Sequence, residues 1–268
     1  NKFTINKLLI SSKNENFGYL DDRHKMVGFK SDPTQNFYDT LIFVSPDVES
    51  IHVPDSIKYI KRDSFSYCLE LKNIHFSINS ELISIESNAF VFTIVNRIFI
   101  PQKVSILEND WNNQMLDLNK IDVAPNNPNF LIKDGLIYGK TDPKSDIYDT
   151  IVFTDRNIEK AVIPSYVKKI YSSAFCQSYL NEVTFSEDSQ LESIGNFAFK
   201  NTNIEYIFIP KHVKKIGNGA FYQTKNLSQV EFDKNSEISS IGYNVFAKSK
   251  IKKIIIPSHV KKLRYYAF

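Results

Sequence analysis

The stretch that decides the fold is Ile207-Phe208-Ile209-Pro210-Lys211-His212-Val213-Lys214-Lys215-Ile216-Gly217-Asn218-Gly219-Ala220-Phe221. It returns as Ile254-Ile255-Ile256-Pro257-Ser258-His259-Val260-Lys261-Lys262-Leu263-Arg264-Tyr265-Tyr266-Ala267-Phe268. Pro164, Pro210 and Pro257 are 46 and 47 residues apart, and the phenylalanines at 175, 199, 221, 246 and 268 are 24, 22, 25 and 22 apart. The repeating unit is therefore about 23 residues long and alternates between two slightly different lengths. Pro54, Phe65, Phe90 and Pro101 carry the same theme in the first half.

Each unit holds a short alternating apolar segment, such as Ile98-Phe99-Ile100, Val183-Thr184-Phe185, Ile207-Phe208-Ile209 or Val230-Glu231-Phe232. Alternation with period two reads as a half-buried strand. In alternate units a proline follows at once and ends the hydrogen-bond ladder, because it has no N–H. A second apolar pair and an Ala-Phe corner complete the unit. A single coil of this length cannot bury a core, whereas stacked coils cover one another. The fold class predicted is an α/β-type repeat solenoid: short parallel β-strands joined by 3₁₀ or irregular arcs, right-handed, about ten turns in all. The alternating segments are expected to pair into one long sheet, with the corner rings packed between turns.

Two stretches break the rhythm. Tyr38-Asp39-Thr40-Leu41-Ile42-Phe43 recurs 110 residues later as Tyr148-Asp149-Thr150-Ile151-Val152-Phe153. Between Pro101 and Pro164 lie turn-rich segments at 124–130 and 140–146, with Gly135-Leu136-Ile137-Tyr138 between them. Clustered Asn, Pro and Gly make turns, so a small hairpin is expected here. The organisation predicted is a degenerate repeat or hairpin region at 1–47, repeats at 48–123, an inserted hairpin region at 124–156, and repeats at 157–268 within one continuous solenoid. The last unit stops mid-repeat without a polar cap, so the chain reads as a piece of a longer array.

The pattern Ile-x-Ile-Pro-x-x-Val-x-x-Ile-x-x-x-Ala-Phe, alternating with Leu-x-x-Val-x-Phe and Leu-x-x-Ile-Gly, resembles the BspA-like, or treponemal-type, leucine-rich repeats. Asn129-Phe130 followed by Asp134-Gly135-Leu136-Ile137-Tyr138 is similar to that family's interspersed insert. The resemblance covers Val48 to Phe268 well and the first 47 residues loosely. It implies a cell-surface or secreted protein of a bacterium or parasitic protist. The role it implies is adhesion in a host–pathogen interaction, through protein binding to host cells or extracellular matrix. An intracellular or periplasmic protein-interaction scaffold is the alternative.

The 268 residues are 42% hydrophobic and 24% charged, ordinary for a folded protein. No apolar run is long enough to span a bilayer, so membrane attachment would need segments outside this stretch. The net charge is +3. Residues 1–155 carry 16 basic against 21 acidic residues (−5), and residues 156–268 carry 17 against 9 (+8). No nucleic-acid module is present, and none is expected as a partner.

Nothing in the sequence reads as catalytic. The five histidines form no His-x-x-x-His pair, and the two cysteines are not at metal-ligand spacing. Cys68 belongs to a column of small residues three after the corner, with Thr93, Ser178, Thr202, Thr224 and Ser249. Such side chains hydrogen-bond the backbone at turns. Gly217-Asn218-Gly219 lies in a corner and makes no phosphate loop. Asp21-Asp22 and Asp142 to Asp146 lack the ligand pattern of a calcium loop. No cofactor and no metal are expected, and the chain reads as non-enzymatic.

Two surfaces could hold a ligand. If the alternating strands line the concave face, Arg97, Phe99, Tyr206, Phe208, Lys253 and Ile255 point outward. Aromatic and aliphatic groups beside cations suit a protein-binding hot spot. The second surface is a basic stripe of Lys168, Lys169, Lys214, Lys215, Lys261 and Lys262, which occupy matching places in successive double units. Such a stripe suits a sulfated glycan or an acidic partner. It also suits a solenoid edge kept from aggregating by lysines. Asn226-Leu227-Ser228 is a glycosylation sequon, usable on a secreted eukaryotic protein.

Overall fold

The computed structural model describes residue 5 and residues 7–268. Residues 1–4 and 6 of the expected N-terminal region lie outside the described residues. The chain forms two compact units, one ending at Asn129 and the other running Phe130–Phe268. Both are β-solenoids, and among the described residues there is no α- or 3₁₀-helix. The arcs are successive turns.

The two units are built alike. In the second, Phe130–Lys133, Leu136–Gly139 and Thr150–Thr154 pair antiparallel. The sheet then continues in parallel through Lys169–Ile170, Ser193–Ile194, Lys215–Ile216, Ser240–Ile241 and Lys262–Leu263. In the first, Phe17–Tyr19, Met26–Phe29 and Thr40–Val44 make the antiparallel part. Tyr59–Ile60, Ser84–Ile85 and Ile106–Leu107 continue it in parallel. The register shifts at Val27/Gly28 and at Ile137/Tyr138, matching places in the duplication.

The long sheet thus differs from the one expected. It is made of two-residue strands from the second apolar pair of each unit. The alternating segments pair only two at a time: Ser50–His52 with Asn73–His75, Arg97–Ile100 with Lys120–Val123, Lys160–Ile163 with Glu182–Phe185, and Tyr206–Ile209 with Gln229–Phe232. Proline explains the break. Within a pair, the amide after the second strand donates back to the first: Ser186 N to the Ile163 carbonyl at 3.1 Å, and Asp233 N to Ile209 at 3.0 Å. Pro210 holds the same place one unit after Ser186. It has no N–H for the carbonyl of the preceding turn, so the ladder stops there.

The corner phenylalanines form the spine of the second unit. Phe175, Phe199, Phe221 and Phe246 are almost wholly buried. Consecutive rings stack at 4.9, 5.2 and 5.4 Å with interplanar angles of 9°, 1° and 9°. Each corner also ties to the next through its backbone, as in Phe199 N to the Ala220 carbonyl at 2.7 Å. In the first unit Phe65 packs tilted against Phe90, with ring centroids 4.8 Å apart and planes at 34°, and Trp111 closes edge-on at 6.1 Å. The hydroxyls of Thr93, Ser178 and Thr202 donate to the carbonyls of their corner phenylalanines at 3.0, 2.8 and 3.0 Å. The Cys68 thiol sits in the same column but turns to the Val44 carbonyl at 3.7 Å.

Candidate functional site

Neither thiol is set up to react. Cys68 and Cys176 are free and buried. Burial, with a small contribution from Asp47, pushes the Cys68 thiol up to about 12. Burial also raises Cys176, against the opposing pull of Arg156. A low-pKa thiolate is what a nucleophile needs, and both sites act in the other direction. Among the described residues no group of three or more His, Cys, Asp or Glu side chains could hold a metal ion. His212 meets Glu237 at 2.9 Å on the surface.

The paired strands present the first candidate surface. Its residues divide between the units: Arg97 and Phe99 in the first; Tyr206, Phe208, Lys253 and Ile255 in the second. The Arg97 guanidinium is ion-paired to Asp122 across the strand pair. Phe99 is half-buried beside them. In the second unit the Tyr206 hydroxyl donates to Glu231 at 3.0 Å. Burial raises its pKa, and the hydrogen bond and charge of Glu231 raise it further. Phe208 is half-buried, opposite Glu231 in the register. Lys253 and Ile255 line a cleft of ≈ 540 Å³ whose other wall includes Gln229, Glu231 and Phe232. Ile255 is 77% exposed.

The lysine stripe is resolved into two columns on the long sheet of the second unit. Lys169, Lys215 and Lys262 alternate with Ser193 and Ser240 in direct register. Lys168, Lys214 and Lys261 form the column beside it, where Glu192 and Ser239 take the intervening turns. Lys168 reaches the buried Asp149 carboxylate at 3.6 Å. Lys215, Lys261 and Lys262 line a second cleft, of ≈ 700 Å³. Asn226 stands exposed in a turn.

Reading the lysines alone overlooks the other wall of that second cleft. Asn196, Asn218, Tyr243 and Arg264 also line it. The Asn218 amide donates to Asn196 Oδ1 at 2.8 Å, and the Tyr243 amide to Asn218 Oδ1 at 3.0 Å. The Arg264 guanidinium lies over the Tyr243 ring at 5.6 Å. Aligning the turns on their Ile-Gly step, in sequence, puts Asn196, Asn218 and Tyr243 in one column and Arg264 at the glycine position of the next turn.

Fold and corner spine together define a stacked-repeat scaffold of the leucine-rich kind. The BspA type leucine rich repeat region matches this chain in 6 copies, over residues 39–135 and 146–268. The chain belongs to that family. No curated protein matches it. Its fold is similar to the crystal structure of the pneumococcal vaccine antigen PcpA, at 22% identity and a TM-score of 0.58 over 81% of this chain and 62% of that one. A leucine rich cell surface protein of Faecalibacterium prausnitzii is similar at 23% identity and a TM-score of 0.57, over 83% of this chain and 51% of that one. A leucine-rich repeat protein of Eubacterium ventriosum is 15% identical with a TM-score of 0.54, covering 88% of this chain and 90% of that one. The chain therefore spans less than two thirds of the first two.

Proposed function

We propose that this chain is a non-enzymatic recognition protein of the cell surface or secreted space, and that it acts in adhesion by binding a host-cell or matrix protein. The observation that carries the reading is the exposed, mixed surface around the strand pair of the second unit. Ile255 and Tyr206 are 77% and 42% exposed, and Ile255 borders an open cleft with a cation and a carboxylate in its walls. Rigid aromatic and aliphatic anchors rimmed by polar groups are the features of an interface hot spot. A surface address agrees with the description of the Faecalibacterium protein as a cell surface protein.

The test measures binding of the purified chain to cultured epithelial cells and to immobilised matrix protein. Tyr206→Ala combined with Phe208→Ala is expected to weaken binding by about tenfold or more, on the order of 1.4 kcal/mol. Undiminished binding with an unchanged circular dichroism spectrum removes this face from the account. Labelling intact source cells with a membrane-impermeant reagent checks the address. Failure to label sends the protein to the intracellular or periplasmic scaffold role.

A further inference from the structure

The long sheet of the second unit carries a groove lined by three lysines and an arginine and by no acidic residue. One wall is the lysine column, with Lys215 and Lys262 two strands apart and Lys261 beside them. Tyr243 stands on the other wall, and Arg264, which follows Gly242 in the column between, closes the end of the groove with its guanidinium over the Tyr243 ring. The groove exists because the column between the walls is glycine at 195, 217 and 242. A Cβ at Gly217 would lie 2.6 Å from the Asn196 backbone nitrogen, and one at Gly242 would lie 2.7 Å from that of Asn218. At these glycines the turns approach too closely for a side chain, so this part of the floor stays bare.

The fold does not impose this chemistry. In the first unit the same column holds Lys61, Glu86 and Glu108, and Lys61 is ion-paired to Glu86. The register positions of the lysine column hold Tyr59, Ser84 and Ile106. Four surface lysines elsewhere are ion-paired: Lys25 to Asp47, Lys72 to Glu49, Lys103 to Glu81 and Lys160 to Glu182. Among the described residues, no ion pair involves Lys215, Lys261, Lys262 or Arg264. A need for solubility alone would be met by lysines on either unit. Concentrated, unpaired charge beside side-chain amides and hydroxyls points to a ligand.

We propose that this groove binds a sulfated glycan. The cations recur every two turns, about 9.6 Å for strands spaced ~4.8 Å apart. That interval suits an extended chain that repeats an anionic group every disaccharide. Arg264 offers a planar fork to a sulfate. The Tyr243 ring, 39% exposed, offers an apolar face to a sugar ring. Asn196, Asn218, Ser239 and Ser240 line the same groove with amide and hydroxyl groups that suit sugar hydroxyls. An acidic polypeptide would use the charges but has less use for the aromatic face. The inference is independent of the strand-pair face and uses none of its residues.

The experiment titrates a heparin-derived octasaccharide into the whole chain by calorimetry at physiological salt. Lys215→Ser with Lys262→Ser restores the residue that the intervening turns already carry, so the fold is kept. That pair is expected to weaken binding at least about tenfold and to flatten its salt dependence. Lys144→Ser with Lys225→Ser removes the same charge elsewhere and is expected to leave the affinity nearly unchanged. Tyr243→Asn, which continues the asparagine column, is expected to weaken binding severalfold even at high salt. Tyr206→Ala with Phe208→Ala is expected to leave it intact, so the two proposals fail separately. Absence of binding, or equal loss from both lysine pairs, overturns the site. Polyglutamate binding as tightly, with Tyr243→Asn silent, overturns the glycan assignment in favour of an acidic polypeptide.

Discussion

Asp149 and Asp39, equivalent residues of the duplication, are buried carboxylates that close matching loops. Asp149 accepts from the Thr141 amide at 2.9 Å and its hydroxyl at 2.6 Å. Asp39 accepts from the Ser31 amide and hydroxyl at 2.9 and 2.5 Å. Burial raises the Asp149 pKa, but the Thr141 hydrogen bonds and the charge of Lys168 outweigh it and hold the carboxyl below its usual range. A depressed folded-state pKa contributes stability above the unfolded value, near ~3.9, and that contribution is lost as pH falls through the folded value. Asp149→Asn is therefore expected to lower stability at pH 7 by roughly 1.5–3 kcal/mol, the range for hydrogen bonds to a charged group. Urea titrations should show the gap to the unsubstituted chain closing in acid. A gap of constant size from neutral pH to about pH 3 contradicts this role for the carboxylate.

The corners show what local conformation costs and what offsets it. Residues two before and two after each corner phenylalanine take positive φ: Ser173 and Gln177 at 58° and 61°, Phe197 and Asn201 at 55° and 57°. Gly219 is the one glycine among these corner positions. Each non-glycine residue gives up on the order of 1 kcal/mol in this region, against the corner-to-corner hydrogen bonds and ring stacking gained. At the scale of elements, proline position decides which strands pair. Pro210→Ala returns an N–H within reach of the preceding turn. The amide of the new residue is expected to be protected from hydrogen exchange as the strands Glu182–Phe185 and Tyr206–Ile209 begin to pair. Exchange as fast as that of an exposed loop amide contradicts the proline account. The repeat length, the Ala-Phe corner and the alternating strands are legible in Ile207 to Phe221 because they recur in register. The long sheet is not legible, since a two-residue strand is too short for alternation to register. The lysine columns are readable by spacing. The groove's far wall is not, because Ser172, Asn196, Asn218 and Tyr243 share a column but not a residue type.

At the scale of the molecule, each unit gains its core from the stacking of neighbours, and the surfaces that could recognise a partner are whatever the stack leaves outside. No enclosed chamber is needed for such a role, and differences between the units arise from the same positions filled differently. The glycine column of the second unit and the Lys61–Glu86 pair of the first show this most clearly. The central claim is that successive turns of the second unit hold together through a shared spine of phenylalanine rings. It is tested most directly by hydrogen exchange on Phe199→Ala. That substitution is expected to cost ~3–5 kcal/mol, and in a nearest-neighbour stack the loss of protection is largest at the corners of Phe175, Phe199 and Phe221 and fades toward the hairpin at Phe130–Gly139. Protection lost evenly across the whole unit, or not lost at all, contradicts the stacked spine.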